Sequence, residues 1–211
     1  MTKIKICGIT NIEDAMLSAK FGADLLGFNF YTKSKRFIEP NSAKKIIEKL
    51  DPSIKCVGIF VNEDIESIRR AAEECSLFAV QLHGNETPEF IVKLRQIIDA
   101  KIIKAFRVDA DFDLNELQNF PVENVLLDSK EAGEFGGTGN IFDWKIAEKI
   151  REQVENLYLA GGLTPENVAD AVKKVKPYAV DVCSRIESVP GKKDPDKLER
   201  FINEVKANDQ F

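Results

Sequence analysis

The sequence predicts one α/β domain, a single (β/α)8 TIM barrel spanning residues 1–211. Three observations carry that expectation. Short apolar runs alternate with amphipathic stretches along the chain, the alternation occurs eight times, and no linker or low-complexity segment interrupts it. Strands regularly separated by helices imply parallel pairing with right-handed crossovers, and eight such units close a sheet into a barrel. A doubly wound open sheet is the alternative. At 211 residues the chain is short for a barrel, so long insertions are absent.

The expected strands are 3–7, 24–28, 56–61, 78–82, 101–106, 124–128, 156–160 and 179–183. The first alternates lysine with isoleucine and runs into Cys7, and the sixth is Val125-Leu126-Leu127 closed by Asp128. The helical patterns that follow them are 12–20, 42–50, 65–74, 88–98, a weak 114–119, 142–150, 165–175 and 195–205. Thr10 and Asn11 suit the start of the first helix, and Asn41 that of the second. Thr87-Pro88 and Thr164-Pro165 each put a capping hydroxyl before a proline at the first helical position.

Composition excludes several function classes. Apolar residues make up 44% of the chain, ample for a full core, and the net charge is -5 with both signs interspersed. No basic block is present, which argues against nucleic acid and anionic membrane as partners. No apolar run approaches membrane-spanning length, and the first residues lack a signal-peptide pattern. Cys7, Cys56, Cys75 and Cys183 are far apart, and with a single histidine they make a poor zinc set. The chain reads as cytoplasmic, reduced and free of metal.

In a barrel, chemistry sits at the C-terminal ends of the strands. Those positions hold Cys7, Asn29, Asn62, Gln81 and His83, Arg107, Asp128, Gly161-Gly162 and Cys183-Ser184-Arg185. Cys7 reads either as a small buried hydrophobe or as a thiol beside a helix N-terminus, which favours its anion. A free thiol, with a pKa of ~8.5, is mostly protonated at neutral pH, so a lowered value would help a base. Asp128 reads as a turn cap or, sharing a mouth with Cys7, as the acid of an acid–base pair. A raised value in a water-poor mouth would help that acid. His83 is as readily structural as functional. Tyr31-Thr32-Lys33-Ser34-Lys35-Arg36-Phe37 is a solvated loop or an anion clamp, in which Arg36 could grip a planar carboxylate with two prongs. Gly161-Gly162 is a tight turn or part of the phosphate site usual after the last two strands. The glycine-rich 134–140 matches neither the NTPase loop nor the dinucleotide fingerprint and reads as a flexible or close-packing loop over the site, or as simple turn glycines.

Together the motifs resemble the phosphoribosylanthranilate isomerase family of tryptophan biosynthesis. The matching segments are Lys5-Ile6-Cys7-Gly8-Ile9-Thr10, Gly27-Phe28 with Ser34-Lys35-Arg36, and Gly58-Ile59-Phe60-Val61-Asn62. They continue with Val80-Gln81-Leu82-His83-Gly84, Leu126-Leu127-Asp128, and Gly136-Gly137-Thr138-Gly139 with Phe142-Asp143-Trp144. Ala160-Gly161-Gly162-Leu163-Thr164-Pro165-Glu166-Asn167-Val168 and Val180-Asp181-Val182 with Pro190-Gly191-Lys192-Lys193-Asp194 complete the series, in order along nearly the whole chain.

The resemblance implies a cofactor-free Amadori rearrangement of N-(5-phosphoribosyl)anthranilate to 1-(2-carboxyphenylamino)-1-deoxyribulose 5-phosphate. It implies Asp128 as general acid, Cys7 as general base and Arg36 as the ligand of the anthranilate carboxylate. Gln81, His83 and Asp181 are expected to bind substrate, and Gly161, Gly162, Cys183, Ser184 and Arg185 to bind its phosphate. A monomer or a homodimer is expected, with no metal and no cofactor. After Val182 the family pattern has Ser-Ser-Gly where this chain has Cys183-Ser184-Arg185. Arg185 is therefore expected to point at the phosphate, at Glu187, or into solvent. Two other classes compete: another phosphosugar isomerase on the same barrel, which has no need of Arg36, and a phosphosugar-binding module, which has no need of Cys7 and Asp128.

Overall fold

A computed structural model describes residues 1–109, 112–129 and 144–208. Strands β1 (Lys3–Cys7), β2 (Leu25–Asn29), β3 (Lys55–Phe60), β4 (Ala79–Leu82), β5 (Lys101–Val108), β6 (Asn124–Ser129), β7 (Asn156–Leu159) and β8 (Ala179–Val182) form a closed barrel in chain order. Every pairing is parallel, and β1 closes the ring by pairing with both β2 and β8. The expected (β/α)8 barrel is thus observed, and the open sheet is excluded.

The helices are α1 (Ile12–Phe21), α2 (Pro40–Ile47), α3 (Ile65–Glu74), α4 (Pro88–Arg95), α5 (Asn115–Gln118), α6 (Trp144–Arg151), α7 (Val168–Val175) and α8 (Pro195–Asn208). None of them is long and apolar enough to cross a membrane. Asn11 and Thr87 cap α1 and α4 as expected, accepting from the backbone N–H groups of Asp14 and Phe90. Two starts differ. Pro40, whose fixed φ suits the first helical position, opens α2 early and leaves Asn41 inside it. The α7 helix begins three residues beyond Pro165 because the preceding turn satisfies its own groups. Asn167 Oδ1 accepts from Thr164 N at 2.8 Å, and Thr164 Oγ1 accepts from Glu166 N at 3.2 Å. The glycine-rich 134–140, and residues 142 and 143, lie outside the described residues.

Side chains alternate across each strand, and this parity divides the core. Ile4 and Ile6 of β1, Val125 and Leu127 of β6, and Val180 and Val182 of β8 face the helices in the larger apolar layer. Leu25, Val57, Ala79, Ile103, Leu126, Tyr158 and Ala179 fill the barrel interior. Residues two or four positions further along the same faces emerge at the C-terminal mouth. That parity sets Cys7, Gln81, His83, Asp128, Asp181 and Cys183 around one opening.

Beyond β8 the chain adds elements that periodicity does not announce. A 3-10 turn over Ser184–Ile186 leads into a hairpin of β9 (Glu187–Val189) and β10 (Lys192–Lys193). The hairpin folds back onto β1's exit, with Thr10 Oγ1 donating to Gly191 O at 2.6 Å and Asp14 Oδ2 accepting from Lys193 N at 2.7 Å.

Candidate active site

A cavity of about 380 Å³ opens at the C-terminal mouth of the barrel. Cys7, Arg36, Gln81, His83, Asp128, Gly161, Gly162, Asp181, Cys183, Ser184 and Arg185 all line it. Every residue that the resemblance assigned to the site is therefore brought together. Asn29 joins the lining, but Asn62 and Arg107, also read as mouth residues, do not. Asn62 instead closes the neighbouring loops: its Oδ1 accepts from Asn85 N at 2.7 Å, and its N–H donates to Glu86 at 2.8 Å.

Asp128 is 6% exposed, and its carboxylate is held on one side. Its Oδ1 accepts from Ser129 N at 2.9 Å. Its Oδ2 lies 3.5 Å from His83 Nε2, too far for a good hydrogen bond. The Gln81 amide nitrogen sits 3.0 Å from His83 Nδ1. Gln81 thus orients the His83 ring, which forms part of the cavity wall.

Asp181 meets Lys5, a lysine with no exposed side-chain surface, at 2.9 Å. Burial raises the Asp181 pKa despite the lysine. Burial works against the Lys5 charge, but Asp181 and the nearby thiols outweigh it and hold its pKa above the ordinary value. The second oxygen of Asp181, Oδ1, is buried without a hydrogen-bond partner while the residue lines the cavity. An acceptor left in that state is costly unless a donor arrives.

Arg36 differs from a free clamp. Its Nε and Nη2 grip Glu187 in two-pronged fashion, at 2.9 Å to Oε1 and 2.7 Å to Oε2. The hydrogen bonds to Glu187 raise the Arg36 pKa. Burial pushes the Glu187 pKa up, but Arg36 and Lys193 more than reverse it, and the net value is lowered. Glu187 is also met by Lys193 Nζ at 3.1 Å. Arg185 is exposed and lines the cavity, while the carboxylate it was expected to seek is engaged by those two cations.

Cys7 departs from expectation in its proton affinity. The α1 N-terminus lies beyond four intervening residues, and the local partner is another thiol. A hydrogen bond with Cys183 and burial raise the Cys7 pKa well above the ordinary thiol value. The same hydrogen bond lowers Cys183 to about 7 against the effect of burial, with help from Lys193 and Arg36.

Sequence reasoning missed Lys5, Glu187 and Lys193 as the charges that hold the lining residues. Lys5 and Lys193 lay within matching segments but carried no role there, and Glu187 entered only as a possible partner of Arg185. Its ammonium donates to Cys7 O at 2.6 Å and reaches Cys183 O at 3.4 Å, stapling the ends of β1 and β8. Lysines are almost never fully buried unless paired, so nothing in one sequence marked Lys5 or Lys193 as interior.

Fold and cavity together define a parallel (β/α)8 barrel with a thiol and a carboxylate at its strand ends, facing one opening. A family model described as "N-(5'phosphoribosyl)anthranilate (PRA) isomerase" matches residues 4–204. An N-(5'-phosphoribosyl)anthranilate isomerase of Trichlorobacter lovleyi is 46% identical over 206 residues, covering 98% of both chains. The crystal structure of the Thermotoga maritima phosphoribosyl anthranilate isomerase superposes with a TM-score of 0.90 at 45% identity, over 98% of this chain and 100% of that one. A phosphoribosyl anthranilate isomerase solved with reduced 1-(o-carboxyphenylamino)-1-deoxyribulose 5-phosphate gives 0.87 at 43% identity, with the same coverage. The chain belongs to the phosphoribosylanthranilate isomerase family.

Proposed function

We propose that this chain catalyses the Amadori rearrangement of N-(5-phosphoribosyl)anthranilate to 1-(2-carboxyphenylamino)-1-deoxyribulose 5-phosphate, with Asp128 and Cys7 as acid and base. The observation that carries this reading is the entry of Cys7 from β1 and Asp128 from β6 into one cavity, with two strands between them on the ring. A ligand lying across that opening meets a proton donor at one end and a thiol at the other.

Asp128 protonates the ribose ring oxygen. The anthranilate nitrogen lone pair expels that oxygen, and the ring opens to a protonated Schiff base. Cys7, as thiolate, removes the proton from C2 to give the enolamine. Protonation at C1 and loss of the C2 hydroxyl proton complete the ketone. No electron leaves the substrate, so no redox partner is required.

Arg36 binds the anthranilate carboxylate. Its bonds to Glu187 use Nε and Nη2 and leave the Nη1 edge for a ligand. This arginine favours the anthranilate substrate over a plain phosphosugar. The unpartnered Oδ1 of Asp181 accepts from a ribose hydroxyl, and Gln81 and His83 support that wall. Gly161 and Gly162, both at positive φ, turn their backbone toward the phosphate together with Ser184, Arg185 and the backbone of Cys183.

The test is the loss of substrate fluorescence when purified protein meets freshly prepared phosphoribosylanthranilate. Turnover is expected, and Cys7→Ser and Asp128→Asn are each expected to lower kcat by ~10²–10⁴-fold. Folded protein without turnover, or variants at wild-type rate, would overturn the reading.

A further inference from the structure

The thiol of Cys183 has no part in the steps above, yet its surroundings are specific. Ile6 pairs with Val182 across β1 and β8, so the next residue on each strand, Cys7 and Cys183, lie side by side on strands about 4.8 Å apart. Both are partly exposed and both line the cavity. Glycines make the space they occupy. A methyl group at Gly8 would come within 2.8 Å of Cys183 Sγ, and one at Gly27 within 3.0 Å of Cys7 Sγ.

The charges facing the pair come from four directions. Lys5 and Asp181 lie on the same two strands, Arg36 on the loop after β2, and Glu187 and Lys193 on the hairpin. Lys193 Nζ is 4.0 Å from Cys183 Sγ, and Glu187 Oε1 is 3.8 Å from it. Three cations stand against two carboxylates, which leaves one positive charge over. One thiolate neutralises that frame, and a second would be uncompensated.

We propose that Cys183 is a positioning residue for the base: the two thiols share a single proton, and Cys183 supports Cys7 as the thiolate by a hydrogen bond. The inference rests on the isomerase reading of the cavity. The adjacency of the two thiols carries the proposal, and their opposite shifts, Cys183 down and Cys7 up, agree with a pair that titrates as a unit. At rest the proton sits on Cys7. Its transfer to Cys183 frees the Cys7 thiolate, which takes the C2 proton, and the doubly protonated pair then returns one proton to C1 of the enolamine or to water.

Two readouts test this on the intact chain. The first is the rate of iodoacetamide labelling at Cys7 and at Cys183, followed separately by peptide mass from pH 5 to 10. Burial raises the Cys56 and Cys75 thiols to about 12 and 11, so both serve as unreactive controls. The second is the pH profile of kcat/KM, which reports the free enzyme. In the wild type, both thiols should label along one shared limb, and kcat/KM should fall along the same limb as pH drops.

Cys183 raises Cys7 only because it gives up the pair's first proton; in Cys183→Ala the one remaining thiolate loses that hydrogen bond, so the Cys7 labelling limb and the kcat/KM limb should move together upward from the shared limb by about one to two pH units. Cys183→Ser, whose hydroxyl still donates, should recover most of that shift. Two separate limbs in the wild type, or an unmoved limb in Cys183→Ala, would overturn the proposal. So would a change in activity without a change in labelling. Labelling limbs that shift as expected in a protein without turnover would sustain the thiol pair and refute the isomerase reading instead.

Discussion

Arg36, Glu187 and Lys193 show how single residues at this site depend on one another. The Glu187 side chain is 4% exposed and holds two cations, one of them fully buried. Removing one partner of such a cluster leaves uncompensated charge, so Glu187→Gln should cost ~3–5 kcal/mol in a urea unfolding curve. The pH dependence follows from its sign. The folded-state pKa of Glu187 is lowered, so its contribution is complete above the ordinary glutamate value and fades as pH falls through the lower folded value. The difference between wild type and Glu187→Gln should therefore shrink in acid, and a constant difference down to low pH would contradict this account. Arg36→Ala should raise KM about ten- to a hundredfold with a smaller change in kcat, since it removes a charge-assisted contact worth ~1.5–3 kcal/mol. Part of that rise will come from the freed Glu187 carboxylate facing a negative ligand. Arg36→Lys should recover only a fraction, because an ammonium cannot span two oxygens. An unchanged KM in Arg36→Ala would return the residue to a purely structural role.

At the scale of elements, the turn after β1 and the hairpin after β8 act as one unit. Gly8 has φ of 76°, a conformation that other residues resist, and a methyl group there would come within 2.6 Å of Arg36 Cδ. Gly8→Ala should lose ~1–3 kcal/mol of stability from backbone strain alone, read by thermal or urea unfolding. It should also lower kcat/KM, because Arg36 and Cys183 must both shift to admit the methyl group. Full activity in a stable Gly8→Ala variant would show that the turn has slack the geometry denies. The hairpin itself was not legible in the sequence. Strands of three and two residues are too short to show a period, and their function as a clamp depends on Lys193 reaching the ends of β1 and β8. The start of α7 was misplaced for a related reason: Thr164-Pro165 carries a true capping signal, but Asn167 captures Thr164 N and builds a turn first.

For the whole molecule, closure of the barrel converts eight separate strand ends into one cavity. The proposed acid–base pair is internal to the chain, and among the described residues no cluster of histidine, cysteine or carboxylate side chains suits a metal ion. Activity should therefore survive dialysis against EDTA unchanged. Loss of activity that a divalent ion restores would overturn that expectation.

The eight-fold alternation, the strand-end positions of Cys7 and Asp128, and the glycine pair after β7 were determined by the sequence alone. Periodicity and turn chemistry are local properties, written within a few residues of where they act. Which charges face one another was decided only by the tertiary structure. Lys5 meets Asp181 across 176 positions of chain, Arg36 meets Glu187 across 151, and Cys7 meets Cys183 through the register that closes the ring. Such pairs depend on how the strands are brought together, and no local pattern encodes that. For the same reason the expected lowered pKa of Cys7 became a raised one. The helix dipole could be anticipated from neighbouring residues, whereas the second thiol and the burial imposed by the closed barrel arrive from distant parts of the chain.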